Sequence, residues 1–412
     1  MNCRFCNHQL SHQFLDLGHA PPSNSFLTKN QLKKPEIYYP LKLYICEKCW
    51  LVQVEDHINA SEIFTNNYIY FSSFSKSWLN HAKQYVEMIT KKLCLNEHSS
   101  VIEIASNDGY LLQYFHEKKI PCLGIEPTKD TAQKAIEKGI PVIEEFFGET
   151  LSEQLRNQGK TADLVIGNNV LAHVPDINNF VKALKNILKE NGVITLEFPH
   201  LLKLIEGNQF DTIYHEHFSY LSFHTVRTIF LHHHLEIFEV EELKTHGGSL
   251  RVYAKHKDNN FWPVKESVKN LERKELNHNM LTLNYYYKFQ EKVTQIKNNF
   301  LLFLIQQKQK KKSTFAYGAA AKGNTLFNYC GVKKDLITCV VDASPYKQEK
   351  YLPCSHIPVV SEKAIIDEKP DYILILPWNI KTEIVNQLHY IKKWNGKFVV
   401  TIPELNIFEE VK

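Results

Sequence analysis

A short segment near the middle of the chain is crowded with ionisable side chains: Asp211, Tyr214, His215, Glu216 and His217. Imidazole, carboxyl and phenol groups are the side chains that most often exchange protons with a substrate. The segment follows a predicted strand, and loops beyond the carboxyl ends of strands in an α/β sheet line ligand crevices. We therefore predict an acid–base site here. A metal site is a poorer explanation because the HExxH spacing is absent, and a surface loop with fortuitous histidines remains an alternative.

Two Cys-x2-Cys pairs, Cys3 with Cys6 and Cys46 with Cys49, provide a second chemical pattern. At this spacing two thiolates from a tight turn can take adjacent corners of a Zn²⁺ tetrahedron. Four thiolates leave no coordination position for water, so the ion is expected to be structural. The surrounding residues 1–75 are too few to fold on apolar burial alone. We predict a small, strand-poor, zinc-binding module.

A third pattern is the small polar turn that follows the predicted strand 101–105. Glu103 in that strand can accept hydrogen bonds from an amino group, and Glu126 ends the next strand, where an acidic residue pairs with ribose hydroxyls. The turn lacks the GxGxxG pattern that a pyrophosphate requires, whereas S-adenosylmethionine (SAM) has no phosphate and a positive sulfonium. We therefore predict a SAM site. The expected contacts are Glu103, Ala105, Ser106, Asn107, Gly109, Tyr110, Glu126, Pro127, Asn168 and Asn169.

The predicted strands and helices that carry these groups form two α/β units. Short apolar strands alternate with amphipathic helices from residue 101, as in a doubly wound sheet. The predicted strands are 101–105, 121–126, 162–167 and 192–198, then 315–318, 337–342, 372–376 and 397–402. The predicted helices are 76–95, 109–118, 130–138 and 177–188, with long bridging helices within 263–312. The expected domains are a zinc module at 1–75, a SAM-binding domain at 76–262, bridging helices at 263–312 and a C-terminal α/β domain at 313–412.

Composition narrows the function classes. The chain has 412 residues with 49 Lys+Arg against 45 Asp+Glu, and its charges are interspersed, so we expect no nucleic-acid partner. It shows no apolar leader and no stretch of about 18 apolar residues, so we expect a cytoplasmic protein with no membrane association. An odd count of nine cysteines fits a reducing compartment. We expect a monomer or a weak dimer.

Taken together, these patterns resemble the SAM-dependent sugar C-methyltransferases, which methylate a carbon of nucleotide-linked 4-keto-deoxysugars. The resemblance runs nearly end to end. Besides the two Cys-x2-Cys pairs and the Tyr-His-Glu-His run at 214–217, it is carried by segments 68–75, 102–109, 168–176, 246–251 and 317–324. It implies a zinc-binding N-terminal module, a Rossmann-like SAM domain and a C-terminal α/β domain that helps to hold the nucleotide sugar.

The resemblance also implies roles for single residues. His217 would remove the proton next to the C-4 ketone, and the resulting enolate would attack the SAM methyl group from C-3. Tyr214 and Glu216 would orient His217 or stabilise the enolate, and Glu216 is the alternative base. The other implied contacts are His173 and Tyr68 at the reacting centre, Tyr70 at the cofactor, and Ser73, Ser75, Arg251, Tyr317, Lys322 and Asn324 at the nucleotide sugar.

The chain departs from the usual family pattern at two places, and two alternative interpretations stay open. The family usually has Gln-Gly-Lys and a Pro-Gly turn where this chain has Gln348-Glu349-Lys350 and Pro353-Cys354. We expect dTDP as the nucleotide of the sugar substrate, and GDP and CDP are the alternatives. A hairpin turn is the alternative explanation of Gly247-Gly248. The competing enzyme class is an NAD-dependent nucleotide-sugar oxidoreductase or epimerase that uses the glycine-containing turn at 317–323.

Overall fold

The structure is a computed structural model that describes residues 1–58 and 71–410. Its strands belong to three sheets. The strands are β1 His12–Ala20, β2 Tyr39–Ile45, β3 Val52–Val54, β4 Val101–Ile104, β5 Cys122–Ile125, β6 Val142–Ile143, β7 Ala162–Asn168, β8 Leu188–Pro199, β9 Ser219–Tyr220, β10 Leu235–Leu243, β11 Ser249–His256, β12 Thr314–Tyr317, β13 Val340–Val341, β14 Val359–Val360, β15 Tyr372–Ile375, β16 Lys397–Val400 and β17 Asn406–Phe408.

The α-helices connect and cover these sheets. They are α1 Lys76–Lys92, α2 Leu112–Glu117, α3 Lys129–Glu137, α4 Glu149–Asn157, α5 Ile177–Ile187, α6 Leu201–Glu206, α7 Phe223–His232, α8 Glu266–Asn277, α9 Leu283–Tyr287, α10 Phe289–Gln309, α11 Ala321–Cys330, α12 Lys363–Glu368 and α13 Lys381–Gln387. In the described ranges, none of them combines the length and the apolar character that a membrane span requires.

The middle domain is built on a seven-stranded sheet in the order β10-β11-β8-β7-β4-β5-β6. Neighbouring strands from β6 to β8 are parallel, whereas β11 runs antiparallel to both of its neighbours. All four residues of β4 are buried, as expected for a central parallel strand covered on both faces. Because β5 lies on one side of β4 and β7 on the other, the chain direction switches at the carboxyl end of β4. Ligands bind at such switch points.

The N-terminal module has more strand structure than the sequence suggested. Strands β1, β2 and β3 pair antiparallel, and β9 from the middle domain completes a four-stranded sheet. The prediction of a strand-poor module was wrong because the alternating run in β2 buries Leu41, Leu43 and Ile45 against apolar residues of other domains. A short segment can form strands when a neighbouring domain supplies the core.

The C-terminal domain has a six-stranded sheet in the order β14-β13-β12-β15-β16-β17, parallel except for β17. Here the switch point is the carboxyl end of β12, between β13 and β15. Helix α10 lies between this domain and the N-terminal module, since Phe289 and Phe300 share one apolar core with Phe14 and Phe327. The bridging segment and the two outer domains are thus packed as one body.

Most predicted strands agree with the structure to within a few residues at each end. Two differences have clear causes. The helix expected from residue 109 begins at Leu112, because Ala105, Asn107 and Gly109 all have positive φ and form a wider turn. Strand β8 begins at Leu188 rather than 192, because Leu188 pairs with Ala162 before a register shift.

Candidate active site

The four module cysteines form one cluster. Their sulfur atoms all lie within 4.8 Å of one another, with Cys3 and Cys49 at 3.5 Å and Cys6 and Cys46 at 3.5 Å. Thiolates at the corners of a zinc tetrahedron are separated by similar distances, because each Zn–S bond is about 2.3 Å. The Gln53 amide also donates to the Cys3 sulfur at 3.3 Å, which is typical of the hydrogen bonds that support metal thiolates. The cluster fits a structural zinc ion.

The turn after β4 lies at the switch point of the middle sheet. Ala105, Asn107 and Gly109 alternate with residues of ordinary φ, so the backbone folds tightly between β4 and α2. A side chain at position 109 would place its Cβ 2.5 Å from Ile140, so only glycine fits there. Asn107 is fixed from outside the turn, because its side-chain oxygen accepts from the Ser72 backbone at 2.9 Å.

This turn contains buried acceptors whose hydrogen-bonding capacity is unused. Neither oxygen of Glu103 receives a well-aligned hydrogen bond from a described residue, and the same holds for one oxygen each of Asp108 and Asn169. Burial raises the pKa of Glu103 well above its usual value, and the Tyr110 hydroxyl opposes that shift. Buried unsatisfied acceptors are costly unless a ligand completes them. A cationic amino group is their chemical complement, so the turn fits SAM.

Glu126 lies beside this turn but differs from Glu103. Its oxygens accept from the backbone N–H groups of Asn107 and Thr128, each at 2.9 Å. Burial raises its pKa, while the hydrogen bonds from Thr128 oppose that change. Glu126, which Pro127 follows, therefore shapes the turn in addition to any contact with a ribose.

An aromatic wall borders the same turn. The Asn168 amide lies 3.4 Å from the Tyr110 hydroxyl, and the Tyr110 ring stacks on Trp78 with centroids 5.8 Å apart. Trp78 also meets the His246 ring edge-on at 5.0 Å. Sequence reasoning missed Trp78 and assigned no role to His246, although His246 begins one of the segments that carry the resemblance. Trp78 sits in an amphipathic helix, where an aromatic residue usually belongs to a core.

The two serines expected at the sugar have other partners. The Ser73 backbone lies 3.3 Å from an Asp108 oxygen, and Lys138 donates to the Ser73 hydroxyl at 3.1 Å. Ser75 is the N-cap of α1 and accepts from the Trp78 backbone at 3.3 Å. Ser73 therefore lies at the turn after β4, residues 105–109, which we name the SAM turn after its predicted ligand. Ser75 stabilises the helix that carries Trp78. Tyr68 and Tyr70 lie outside the described residues.

The acid–base segment surrounds His217 with aromatic rings. The Tyr214 ring is 4.1 Å from the His217 ring between centroids, and the His173 ring is 4.6 Å away. His217 Nδ1 lies 3.0 Å from the Thr212 carbonyl oxygen. Because a carbonyl can only accept, this contact assigns the proton to Nδ1 and leaves the lone pair on Nε2. His217 is thus held in the tautomer that a general base needs.

The surroundings shift the pKa values of these groups in different directions. Burial lowers the pKa of His217 well below its usual value, and His173 reinforces the shift. Burial lowers the pKa of His173 to about 4. Burial raises the pKa of Glu216 to about 7, opposed by a 2.7 Å hydrogen bond from Asn24 of the N-terminal module. His215 points elsewhere, with Nε2 at 3.1 Å from the Pro40 carbonyl oxygen.

Residues of the C-terminal domain reach this segment. The Trp378 indole donates to Asp211 Oδ2 at 2.7 Å, and Lys322 Nζ lies 4.6 Å from the centre of the Trp378 ring. Lys322 also donates to Asn379 Oδ1 at 2.7 Å. Burial raises the pKa of Asp211 to about 6, and Lys322 opposes the shift. Nothing in the sequence singled out Trp378 or Asn379, because they follow an ordinary apolar strand.

Three residues expected at the nucleotide sugar have structural partners. The Arg251 guanidinium is buried and pairs with Glu197 at 3.0 Å and Glu241 at 3.1 Å. The Tyr317 hydroxyl accepts from Gln387, and the Asn324 amide donates to the Ser23 carbonyl. Gly247 and Gly248 form the turn of the β10–β11 hairpin with φ of +89° and +120°, and a Cβ at position 247 would meet Trp378 at 2.5 Å. The hairpin turn is therefore present, and it also contacts the C-terminal domain.

Three protein-family models match consecutive parts of the chain. A putative zinc-binding domain matches residues 3–64, a methyltransferase domain matches 78–240, and a C-methyltransferase C-terminal domain matches 244–403. The chain is a SAM-dependent methyltransferase. The predicted α/β fold, the SAM cofactor and the zinc ion of the N-terminal module are confirmed, since the matched domains coincide with the SAM turn and the cysteine cluster.

The chain is also similar to individual known proteins. The C-methyltransferase NovU from Streptomyces niveus is 29% identical over 402 residues, which span 98% of this chain and 95% of NovU. Among solved structures, the match to the PH0226 protein from Pyrococcus horikoshii covers 46% of this chain and 95% of the PH0226 chain. The sequence identity is 15% and the TM-score is 0.37. Magnesium protoporphyrin IX methyltransferase from Synechocystis covers 43% of this chain and 81% of its own at 14% identity, with a TM-score of 0.34.

Proposed function

We propose that this methyltransferase methylates C-3 of a nucleotide-linked 4-keto-deoxysugar, with dTDP as the expected nucleotide. The sugar substrate is proposed from the resemblance of the whole motif series, and the likeness to the C-methyltransferase NovU supports carbon as the acceptor atom. The observation that carries the chemistry is the tautomer of His217, whose Nε2 lone pair is kept available by the Thr212 carbonyl.

The chain's own residues suit the removal of a proton next to a ketone. His217 Nε2 takes the proton from C-3, the C–H bonding pair moves toward the ketone oxygen, and an enolate forms. His173 and His246 stay neutral near physiological pH because burial lowers the pKa of each to about 4. Tyr214 lies against the His217 ring and restricts its orientation. SAM, when bound, supplies an electrophilic methyl group, and its sulfur retains the pair of the broken carbon–sulfur bond.

Residues of the SAM turn would hold the cofactor. The unsatisfied oxygens of Glu103, Asp108 and Asn169 are suited to its cationic amino acid part. Trp78 and Tyr110 provide an aromatic surface beside them. The reacting centre then lies between this turn and the His217 loop, where Trp78 meets His246.

The proposal predicts two linked activities. The protein should transfer a labelled methyl group from SAM to a dTDP-linked 4-keto-deoxyhexose, and it should exchange the C-3 hydrogen of that sugar with D₂O. His217→Asn should lower both rates by roughly 10² to 10⁴ while SAM affinity is kept. GDP- and CDP-linked sugars serve as nucleotide controls.

The outcomes separate the two candidate bases. Exchange that survives in His217→Asn but disappears in Glu216→Gln would transfer the base to Glu216. A wild-type protein that neither methylates nor exchanges any of the three nucleotide-linked keto sugars would refute the proposed substrate class.

A further inference from the structure

Lys322 occupies an unusual position for a residue expected to bind a phosphate. It follows β12 at the switch point of the C-terminal sheet and is the second residue of α11. Its ammonium donates to the side-chain oxygen of Asn379 at 2.7 Å and lies 4.6 Å from the centre of the Trp378 ring. Both partners are electrically neutral, so neither cancels the ammonium charge. A lysine ammonium has three donors, and these contacts account for only one of them.

The backbone around Lys322 is not arranged to receive a phosphate. In phosphate-binding turns the N–H groups before the helix point at the anion. Here the Ala319 N–H donates to the Asp342 carboxylate at 2.7 Å, and the Gly318 N–H donates to the Val341 carbonyl at 2.7 Å. The Ala320 N–H donates to Gly318. The three N–H groups just before α11 are thus occupied, one of them by a carboxylate, and they are not available to a diphosphate.

Lys322 is instead connected to the loop that holds the base. The indole of Trp378 donates to Asp211, and Asp211 precedes Thr212, whose carbonyl fixes His217. One turn along α11 from Lys322, the Thr325 hydroxyl donates to the Ile213 carbonyl at 2.8 Å. These hydrogen bonds join α11 and the Trp378 segment to residues 211–217 on both sides of Lys322.

We propose that Lys322 is a catalytic residue whose ammonium donates a hydrogen bond to the ketone oxygen as His217 removes the adjacent proton. This inference rests on the proposed function. The C–H proton passes to His217 Nε2, its bonding pair shifts toward the ketone oxygen, and the positive charge of Lys322 stabilises the oxyanion that develops. Lys322 keeps its proton throughout. Asn379, Trp378 and Asp211 are positioning residues that hold the ammonium in place.

Lys322 also affects the base directly. Its charge contributes to lowering the pKa values of His217 and His246, and it opposes the rise in the pKa of Asp211. The ammonium also lies 4.6 Å from the centre of the Trp378 ring, whose indole donates to Asp211 of the acid–base segment. Fixed charges aimed at a developing oxyanion are the largest single contribution to many enzyme reactions.

The test compares Lys322→Met with Lys347→Met in the full-length protein. Lys347 is a matched control because it is a partly buried lysine whose ammonium donates to the Ala319 carbonyl in the same turn, at 2.9 Å. With a dTDP-linked 4-keto-deoxyhexose as the probe, Lys322→Met should lower kcat and saturating C-3 exchange by roughly 10² to 10³. The KM for sugar should change by less than about threefold, and Lys347→Met should keep kcat.

Lys322→Arg guards against a folding defect, because it keeps the charge but moves the donors. It should bind SAM normally and still lose at least about tenfold in exchange. A Lys322→Met protein with normal kcat and exchange but a KM raised about tenfold or more would overturn the inference in favour of diphosphate binding. Equal losses of exchange in Lys347→Met would also overturn it. If wild-type protein fails with every keto sugar, the proposed function fails and this inference fails with it.

Discussion

The turns after β4 and after β12 occupy equivalent switch points in their sheets, yet they present opposite charges. Glu103 in β4 and Asp108 in the turn after it have buried carboxylate oxygens with unused hydrogen-bonding capacity. The β12 turn presents the ammonium of Lys322 over Trp378. The sheet topology therefore supplies only the location, whereas the residues at the turn select the charge of what is bound or stabilised there.

The largest expected effect follows from the removal of zinc from the N-terminal module. Through β9, the Asn24–Glu216 hydrogen bond and the Asn324–Ser23 hydrogen bond, the module supports the base loop and α11. Removal of zinc should cost about 10 kcal/mol of module stability and abolish turnover. SAM affinity at the β4 turn should fall by less than about tenfold, or 1.4 kcal/mol.

Zinc content, thermal unfolding, turnover and SAM calorimetry before and after chelation measure this effect. Cys46→Ser should reproduce it, and Cys94→Ser, which changes an exposed cysteine, should have no effect. A Cys46→Ser protein that keeps its stability but loses turnover would show instead that the metal takes part in the reaction.

A smaller effect distinguishes Glu103, which lies in β4, from Glu126, which lies beside the turn after β4. Glu103→Gln should weaken SAM binding by about 1.5 to 3 kcal/mol, because a charge-assisted hydrogen bond is lost. It should also raise the midpoint of urea unfolding of the SAM-free protein at neutral pH, because burial disfavours the Glu103 carboxylate, as its raised pKa indicates, and the amide carries no charge.

Glu126 is the matched control. Glu126→Gln should also weaken SAM binding, but it should lower the unfolding midpoint, because its oxygens accept from the Asn107 and Thr128 backbone. Stability changes of the same sign in the two variants would contradict the contrast between an acceptor that needs a ligand and one that the fold already satisfies.

The smallest effect is a shift in pH dependence at the base loop. A base must be neutral imidazole or ionised carboxylate, so kcat/KM falls as the pH drops through its pKa in the free enzyme. His217 is faced by His173, His246 and Lys322, and its pKa is lowered, so the acid limb should lie below pH 6.5. A limb near pH 7 that disappears in Glu216→Gln would instead identify Glu216, whose pKa is about 7.

The chemistry of each local segment could be predicted from the residues of that segment. Cysteine spacing gave the zinc cluster, because a tight turn brings both thiolates of a pair together without help from the rest of the chain. Strand periodicity gave both α/β sheets, and the small polar turn after β4 gave the prediction of a SAM site, because turn backbone conformation depends mainly on local residues. The crowded segment 211–217 likewise gave the loop that contains His217.

Which of these groups contact one another, and what their pKa values are, depends on how the domains pack together. Asp211 and Trp378 come together from two domains, and no local pattern encodes a hydrogen bond across 167 residues of chain. The sequence predicts that Arg251 holds the sugar, and the structure adds that its guanidinium pairs with Glu197 and Glu241. The pKa values of His217 and Glu216 also depend on burial, which is a property of packing between domains and not of the residues themselves.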